Sequence, residues 1–312
     1  MKRAAIYFVI GLALIVNLFA FSIVYADQPI KVDKHNPVYA TDVELAMKLT
    51  VADTPKGAPS DKSPANKPGK TKGSATGILG SPVSGNRYAI IIGISDYPGT
   101  GSDLSYSDDD ALDMYTALTV QYGFDATKII SLIDQDATRF NIISAIETIG
   151  SMATTNDEVV FFFSGHGGRG KANDGDNEKT DQCIWSHDGT KLVPIWDGEL
   201  RAAFSQYKTS RIIFIFDSCY AGGMADDLNG NGRVIAMAST ATTLSYEWSS
   251  LQNGEFTYYM IEQGMSLGQA DKYDSIPGLP DVTVEEAFDY ANANRIRNTP
   301  TISDKFLNDL LP

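Results

Sequence analysis

The chain has few residues that can act as nucleophiles or bases near neutral pH, and it has few positive charges. Its 312 residues include only two cysteines and three histidines, so at most one internal disulfide can form. The 25 Lys and Arg residues are outnumbered by 39 Asp and Glu residues, for a net charge of −14. No basic stripe lies beside aromatic residues, which excludes a typical nucleic-acid-binding surface. The acidic balance instead favours cationic substrates or metal ions, or it serves solubility alone.

Residues 1–26 have the pattern of an export signal. Lys2 and Arg3 precede an apolar run from Ala4 to Val24, and the small residues Val24 and Ala26 fit a processing site after Ala26. The run of about 20 residues is also long enough to span a bilayer as an uncleaved anchor. Both alternatives place the rest of the chain outside the cytoplasm. We therefore expect a secreted or extracytoplasmic protein, attached to a membrane only if the segment is not cleaved.

Residues 27–85 are predicted to be a pro-segment or flexible linker, followed by a folded domain over residues 86–312. From Ala52 to Gly85 the composition shifts to Pro, Lys, Gly, Ser and Thr. Such a stretch cannot bury a hydrophobic core. Before it, Val43 to Leu49 has a weak helical pattern.

The folded domain alternates apolar strand patterns with helical ones. Strands are predicted at residues 88–94, 128–133, 159–163, 211–216 and 233–239, and helices at 108–122, 138–152, 197–207, 256–264 and 284–295. A hairpin is predicted around Asp188 and Gly189. Alternating strands and helices imply an α/β fold, with a mostly parallel sheet covered on both faces.

Two of these strands end in reactive side chains. Residues 159–163 lead into His166, and residues 211–216 lead into Cys219, each within a glycine-rich turn. The carboxyl ends of parallel strands are where catalytic groups collect. A cysteine thiolate needs a neighbouring base, and an imidazole can later protonate the leaving amine. The amides of Gly167 and Cys219 are candidate donors to an oxyanion. The pattern predicts a cysteine hydrolase; an inert disulfide between Cys183 and Cys219 is the alternative.

The motifs around these residues resemble those of the caspase-like cysteine peptidases, most closely the metacaspases. The likeness runs from about Tyr88 to the C-terminus and rests on ordered motifs at residues 164–167 (Ser-Gly-His-Gly), 217–223 (Asp-Ser-Cys-Tyr-Ala-Gly-Gly), 93–97, 109–111, 181–184 and 245–247. It implies a three-layer α/β/α sandwich with a roughly six-stranded sheet. It also implies a His166–Cys219 dyad that needs no cofactor for its chemistry. We expect a monomer that acts on proteins or peptides.

The resemblance also implies a specificity. Caspases line the first pocket with arginine and cut after Asp, whereas metacaspases line it with carboxylates and cut after Arg or Lys. The matching positions here are Asp110, Ser164 and Asp217. Buried carboxylates need a cation, which a basic substrate side chain would supply. Cleavage after Asp or Asn, and a non-catalytic binding or scaffold domain, are the alternatives. Candidate self-cleavage sites are the linker lysines Lys56, Lys62, Lys67, Lys70 and Lys72.

A calcium site is the last expectation. Residues 173–178 and Asp181 form an oxygen-rich acidic segment, which suits hard cations. Calcium-dependent metacaspases use four aspartates, and the resemblance matches three of them to Asp181, Asp197 and Asp226. The fourth position holds Gly198. A solvated acidic loop without a metal is the alternative.

Overall fold

The computed structural model describes residues 40–51, 74–175, 178–273 and 281–312. The predicted export signal and the five linker lysines lie outside the described residues. Within the described ranges, no helix combines the length and the apolar character needed to cross a membrane.

The described chain folds as alternating strands and helices. The strands are β1 (Ala40–Ala46), β2 (Leu49–Val51), β3 (Arg87–Gly93), β4 (Ile129–Ile133), β5 (Glu158–Ser164), β6 (Gly167–Ala172), β7 (Asp181–His187), β8 (Leu192–Trp196), β9 (Ile212–Asp217), β10 (Arg233–Met237), β11 (Tyr246–Trp248), β12 (Asn253–Gly254) and β13 (Thr301–Asp304). The α-helices are α1 (Ser107–Thr116), α2 (Arg139–Met152), α3 (Asp197–Phe204), α4 (Met224–Leu228), α5 (Glu255–Thr257) and α6 (Val284–Asn294). Two π-helical segments, Ala117–Gln121 and Tyr258–Ser266, directly follow α1 and α5.

A six-stranded sheet forms the centre of the fold, in the order β13-β10-β9-β5-β3-β4. Every neighbouring pair is parallel except β10 and β13, which are antiparallel. Alternate residues of each strand point to opposite faces. On one face, Ile91 and Phe162 pack in a core shared with α1 and α6. On the other face, Phe161 meets Phe204 of α3 edge to face. The predicted mostly parallel α/β sandwich is confirmed.

Residues 40–51 differ from the predicted flexible linker. β1 pairs antiparallel with β6 in a second sheet, β1-β6-β7-β8, and β2 pairs parallel with β11 in a small third sheet, β12-β11-β2. The helix that the weak pattern over Val43 to Leu49 predicts is wrong, because this stretch runs from β1 into β2. Farther along, the Asp309 carboxylate accepts hydrogen bonds from the backbone N–H groups of Thr76 and Gly77. The stretch just before the predicted domain boundary therefore also packs on the domain.

The parallel register of β5 and β9 positions the candidate site. Ser164, at the end of β5, lies opposite Asp217, at the end of β9. The two chains therefore leave the sheet at the same edge, and the next residues of each carry His166 and Cys219.

Candidate active site

Gly167 brings the turn after β5 into contact with the turn after β9. A Cβ placed on Gly167 would fall 1.9 Å from the carbonyl oxygen of Cys219 and 3.1 Å from its backbone nitrogen. Real Cβ atoms do not approach backbone atoms so closely, so only glycine fits here. The two residues predicted to supply oxyanion donors are thus neighbours through their backbones.

His166 is held on three sides. Its backbone N–H donates to the hydroxyl of Tyr97 at 3.0 Å, and the two rings stack with centroids 4.8 Å apart. Its Nε2 lies 2.7 Å from the carbonyl oxygen of Ser102, and its Nδ1 lies 3.1 Å from the backbone N–H of Lys48. A carbonyl can only accept and an amide N–H can only donate, so Nε2 carries the proton and Nδ1 is the acceptor. Nδ1 is therefore the nitrogen available as a base.

The histidine and the cysteine are both buried and electrically neutral in this structure. Burial lowers the pKa of His166 to about 4, against the opposing hydrogen bond to Ser102. Burial likewise raises the pKa of the Cys219 thiol to about 11, although the hydrogen bond from Ser245 opposes this shift. The N–H of Ser245 donates to Sγ at 3.2 Å. The structure thus holds a closed site in which the thiol is protonated and shielded from solvent.

Asp110, Ser164 and Asp217 meet beside this pair and form an anionic pocket. The Ser164 hydroxyl donates to Oδ2 of Asp110, and the backbone N–H of Gly254 donates to Oδ1 at 2.7 Å. Asp217 accepts the Ser245 hydroxyl at 2.7 Å on Oδ1 and Thr257 on Oδ2. These donors fix the two carboxylates, which leaves their charge to be balanced by a cation.

The cation in the pocket is the ammonium of Lys48. Its Nζ lies 3.2 Å from Oδ2 of Asp110, 3.1 Å from Oδ1 of Asp217 and 3.0 Å from Oγ of Ser164. Burial alone would lower the pKa of Lys48, but the carboxylates of Asp217, Asp110 and Glu247 raise it above its ordinary value. The ammonium is therefore charged, and the three predicted pocket residues surround it.

Gly254 closes the pocket. A Cβ at this position would lie 2.6 Å from Nζ of Lys48, 2.4 Å from Oδ2 of Asp217 and 2.6 Å from Oδ2 of Asp110. Any larger residue would therefore occupy the space that the ammonium fills. No sequence pattern marks this glycine, because β12 has only two residues and no hydrophobic pattern.

A group of acidic residues lies apart from the pocket and includes two of the predicted metal ligands. Asp174, Asp181 and Asp197 each offer a ligand oxygen, and these atoms lie within 4.8 Å of one another. Oδ1 of Asp181 is buried and accepts no hydrogen bond. Burial raises the pKa of Asp197 to about 9, and the nearby carboxylates of Asp227 and Asp174 add to the shift. Closely spaced carboxylates of this kind are suited to a divalent cation.

Two details of this acidic group differ from the expected ligand set. Asp226 is exposed on α4 and is not part of the group, whereas its neighbour Asp227 is buried and ion-paired with Arg201. Asp174 lies in the space beside Gly198: the Gly198 N–H donates to it at 3.1 Å, and a Cβ on Gly198 would lie 2.6 Å from its Cγ. Asp174 thus brings a carboxylate to the position where the resemblance finds an aspartate replaced by glycine.

Of the remaining cysteine and histidines, Cys183 and His187 are described by the structure and are not part of the site. Cys183 and Cys219 are both free thiols, so the structure contains no disulfide between them. Burial raises the pKa of Cys183 well above its ordinary value. His187 makes its hydrogen bond to the carbonyl oxygen of Asp134 at 2.8 Å. His35 lies outside the described residues.

Sequence reasoning missed Lys48, the role of Tyr97 and the carbonyl of Ser102. Tyr97 lies in one of the motifs that carry the family resemblance, but that motif does not indicate its role beside His166. The Ser102 contribution is a backbone atom, which no residue type announces. Lys48 lies more than sixty residues from the nearest other member of the pocket, and no local pattern marks it.

Known proteins with similar sequences point to the same kind of site. The chain matches the caspase domain family over residues 86–303. It is 33% identical over 155 residues to Metacaspase-1 of Saccharomyces cerevisiae, a match that covers 47% of this chain and 36% of the yeast protein. It is 35% identical over 149 residues to Metacaspase-4 of Arabidopsis thaliana, covering 45% of this chain and 35% of the plant protein. The matches thus span little more than a third of the length of these curated relatives.

A solved structure shares the fold. The crystal structure of protein GSU0716 from Geobacter sulfurreducens aligns with a TM-score of 0.53 and 18% identity, over 72% of this chain and 95% of that one. The family match covers more than half of the chain and includes both His166 and Cys219. The chain therefore belongs to the caspase-domain family of cysteine peptidases, and the relatives named above are metacaspases.

Proposed function

We propose that this protein is a cysteine endopeptidase that cuts after Arg or Lys. The observation that carries the proposal is the ammonium of Lys48 between Asp110 and Asp217, at 3.2 and 3.1 Å. A lysine from a substrate would meet the same carboxylates and the same Ser164 hydroxyl. An arginine would offer a planar fork of donors to the same acceptors.

His166 and Cys219 would carry the chemistry. Once a substrate is bound, Nδ1 of His166 takes the thiol proton and the Cys219 sulfur attacks the carbonyl carbon of the basic residue. The backbone N–H groups of Gly167 and Cys219 would stabilise the oxyanion. His166 then gives its proton to the departing amine, and water hydrolyses the thioester. No metal or cofactor is required for these steps.

Cleavage after Asp or Asn is disfavoured by the pocket's charge. An aspartate side chain would face two buried carboxylates, and like charges at this separation repel strongly where water is scarce. A neutral asparagine would leave those carboxylates without a cation. Cleavage after Arg or Lys is therefore favoured over cleavage after Asp or after Asn.

A peptide panel tests this specificity. Fluorogenic peptides that differ only in Arg, Lys, Asp or Asn at the cleavage position are incubated with the full chain and with Lys48→Ala, which empties the pocket. We expect hydrolysis of the Arg and Lys peptides alone, lost in Cys219→Ala and retained in the matched Cys183→Ala control. Faster hydrolysis of the Asp peptide would overturn the assignment. A complete lack of turnover and of labelling by a thiol-reactive peptide ketone would favour a scaffold role.

We extend the proposal to calcium binding at Asp174, Asp181 and Asp197. Their oxygens fit a hard cation, and the buried Oδ1 of Asp181, which accepts no hydrogen bond, could serve as a ligand. Bound calcium would supply the positive charge that allows these neighbouring carboxylates to ionise together. Two of these ligands come from the starts of two elements that the protein holds together: Asp181 begins β7, and Asp197 begins α3.

Export and self-processing complete the proposal. The apolar run and the Val24 to Ala26 pattern support export, and the basic residues of the linker support cleavage by the enzyme itself. Expression in a secreting host, followed by N-terminal sequencing of the released protein, tests both. A new terminus at Asp27 supports signal cleavage, whereas recovery in the membrane fraction with Met1 retained contradicts it. Linker cuts after lysine in the wild type but not in Cys219→Ala would identify self-processing.

A further inference from the structure

We propose that residues 40–51 are a built-in inhibitor that binds the active site in the direction opposite to that of a cleavable substrate. This segment is anchored by Lys48 and is called here the blocking segment. The proposal rests on the proposed function, because it takes Asp110 and Asp217 as the substrate pocket. It goes beyond that function by assigning the cleft a ligand class: peptides anchored by a basic side chain that bind in reverse and are not cut.

The side chain of Lys48 fills the pocket and anchors the blocking segment there. Lys48 is 2% exposed, and its ammonium contacts Ser164 and is ion-paired with both Asp110 and Asp217. A basic substrate side chain therefore cannot enter while Lys48 remains. Competition for one pocket makes the expected inhibition competitive.

The chain on both sides of Lys48 is paired with the enzyme. Before it, Ala46 lies opposite Gly167 in the antiparallel pairing of β1 with β6, and it packs on Cys219. After it, Leu49 lies opposite Tyr246 in the parallel pairing of β2 with β11. Backbone pairing of this kind is a recurring way of binding an extended peptide. The blocking segment therefore covers the sulfur as well as filling the pocket.

The direction of the chain prevents productive attack. When a peptide is cut after the residue in the pocket, the histidine must protonate the nitrogen of the residue that follows it. Here the pocket residue is Lys48, so that nitrogen belongs to Leu49. Yet Leu49 N–H donates to the carbonyl of Ser245 at 3.3 Å, and the amide at Nδ1 of His166 is that of Lys48 itself.

The other neighbouring peptide bond is no better placed. Cleavage with Lys48 as the departing amine would require Met47 in the specificity pocket. Met47 is instead 38% exposed to solvent, and the pocket is filled by Lys48. Neither bond therefore combines an occupied pocket with a correctly placed leaving nitrogen. The blocking segment should persist as an inhibitor and not be consumed as a substrate.

Two variants of the full chain test the inhibition. Lys48→Ala removes the anchor, whereas Leu49→Pro removes the N–H that donates to Ser245 and keeps the Lys48 side chain. Both should raise kcat/KM for Arg and Lys peptides by about tenfold or more, because a larger fraction of the enzyme is open. Lys48→Arg should keep the low activity, and Lys128→Ala, at a half-buried position in another part of the chain, should match the wild type.

Alkylation of Cys219 by iodoacetamide separates the two proposals. Opening of the blocking segment should speed alkylation in Lys48→Ala and Leu49→Pro whether or not any peptide is hydrolysed. Faster alkylation without turnover would support the blocking segment and contradict the peptidase assignment. Turnover of basic peptides that is equal in the wild type and both variants, with unchanged alkylation, would overturn the blocking segment alone.

A synthetic peptide of residues 40–51 tests the direction of binding. Added to Leu49→Pro, it should inhibit competitively and remain intact by mass spectrometry, while the same peptide with alanine in place of Lys48 should not inhibit. Recovery of fragments ending at Lys48 would show a productive orientation and overturn the reversed one. The absence of inhibition by the intact peptide would overturn the inhibitor itself.

Discussion

Tyr97 stacks on His166 with ring centroids 4.8 Å apart and an interplanar angle of 25°, while its hydroxyl accepts the backbone N–H of the same histidine. The hydroxyl also donates to the carbonyl of Trp185 at 3.2 Å. One side chain thus fixes both the ring plane and the backbone of the proposed base. Tyr97 acts as a positioning residue.

We expect Tyr97→Phe to lower kcat on an Arg peptide by roughly tenfold with little change in KM. The stacking remains, but a buried N–H and a buried carbonyl lose their partner, which costs about 1–3 kcal/mol. The measurement is steady-state kinetics in the Lys48→Ala background. Tyr290→Phe, which loses only an exposed hydrogen bond to Gln269, is the control. A larger effect on KM than on kcat would contradict a positioning role.

Gly254→Ala should weaken the hydrolysis of Arg and Lys peptides. The added methyl would lie about where the ammonium binds, within 2.6 Å of Nζ of Lys48 and of Oδ2 of Asp110. We expect the KM for basic peptides to rise by at least about tenfold, since overpacking of a well-packed site costs about 1–3 kcal/mol.

Gly101→Ala is the matched control for this change, because a Cβ at that position has no heavy atom within 4 Å. The same variant pair also tests the blocking segment. Gly254→Ala should displace Lys48 and speed the alkylation of Cys219, although basic substrates bind more weakly. Unaltered hydrolysis of basic peptides by Gly254→Ala would mean that substrates bind elsewhere.

The central sheet could be predicted from the sequence because its strands are unbroken apolar runs. β5 and β9 each end in a glycine-rich turn, and parallel strands place such turns at a common edge. The same reasoning predicts from the sequence that His166 and Cys219 follow the strands at this edge. The blocking segment could not be predicted in this way. Its pairing depends on partners far along the chain, and its own residues alternate too weakly to indicate a strand.

The acidic group contains positions that sequence motifs alone do not predict correctly. Aligned motifs suggested Asp226, but α4 places that residue at the surface and turns Asp227 inward. Consecutive helical residues point about 100° apart, so neighbours such as Asp226 and Asp227 meet different surroundings, which the motif alone does not reveal. Asp174 was part of the recognised acidic segment, yet its approach to Gly198 depends on the loop's folded path.

Calcium binding provides a direct test of which aspartates are ligands. We expect Asp174→Asn and Asp181→Asn each to weaken calcium affinity by about tenfold or more, since each removes a charged oxygen ligand. Isothermal titration of the full-length protein measures this without relying on activity. Asp226→Asn is the matched control and should bind calcium as the wild type does. Equal loss in all three variants, or no binding by the wild type, would contradict the site.

Glu285 should make the stability of the protein depend on pH. Burial raises its pKa to about 8, against the opposing hydrogen bond from the Leu310 N–H, whereas an unfolded glutamate titrates near about 4.3. The folded state therefore keeps a proton that the unfolded chain releases. As pH rises through this interval, the free energy of unfolding must fall, and it levels off above the folded pKa.

Glu285→Gln removes this titration while keeping an oxygen that can accept the Leu310 N–H. Relative to the wild type, we expect the variant to become more stable by at least about 1 kcal/mol between pH 5 and pH 9. Urea unfolding at both pH values measures the difference. Glu147→Gln, at an exposed position of α2, should follow the wild-type pH dependence. A difference between Glu285→Gln and the wild type that stays constant across this range would mean that Glu285 is already ionised in the folded protein at pH 5.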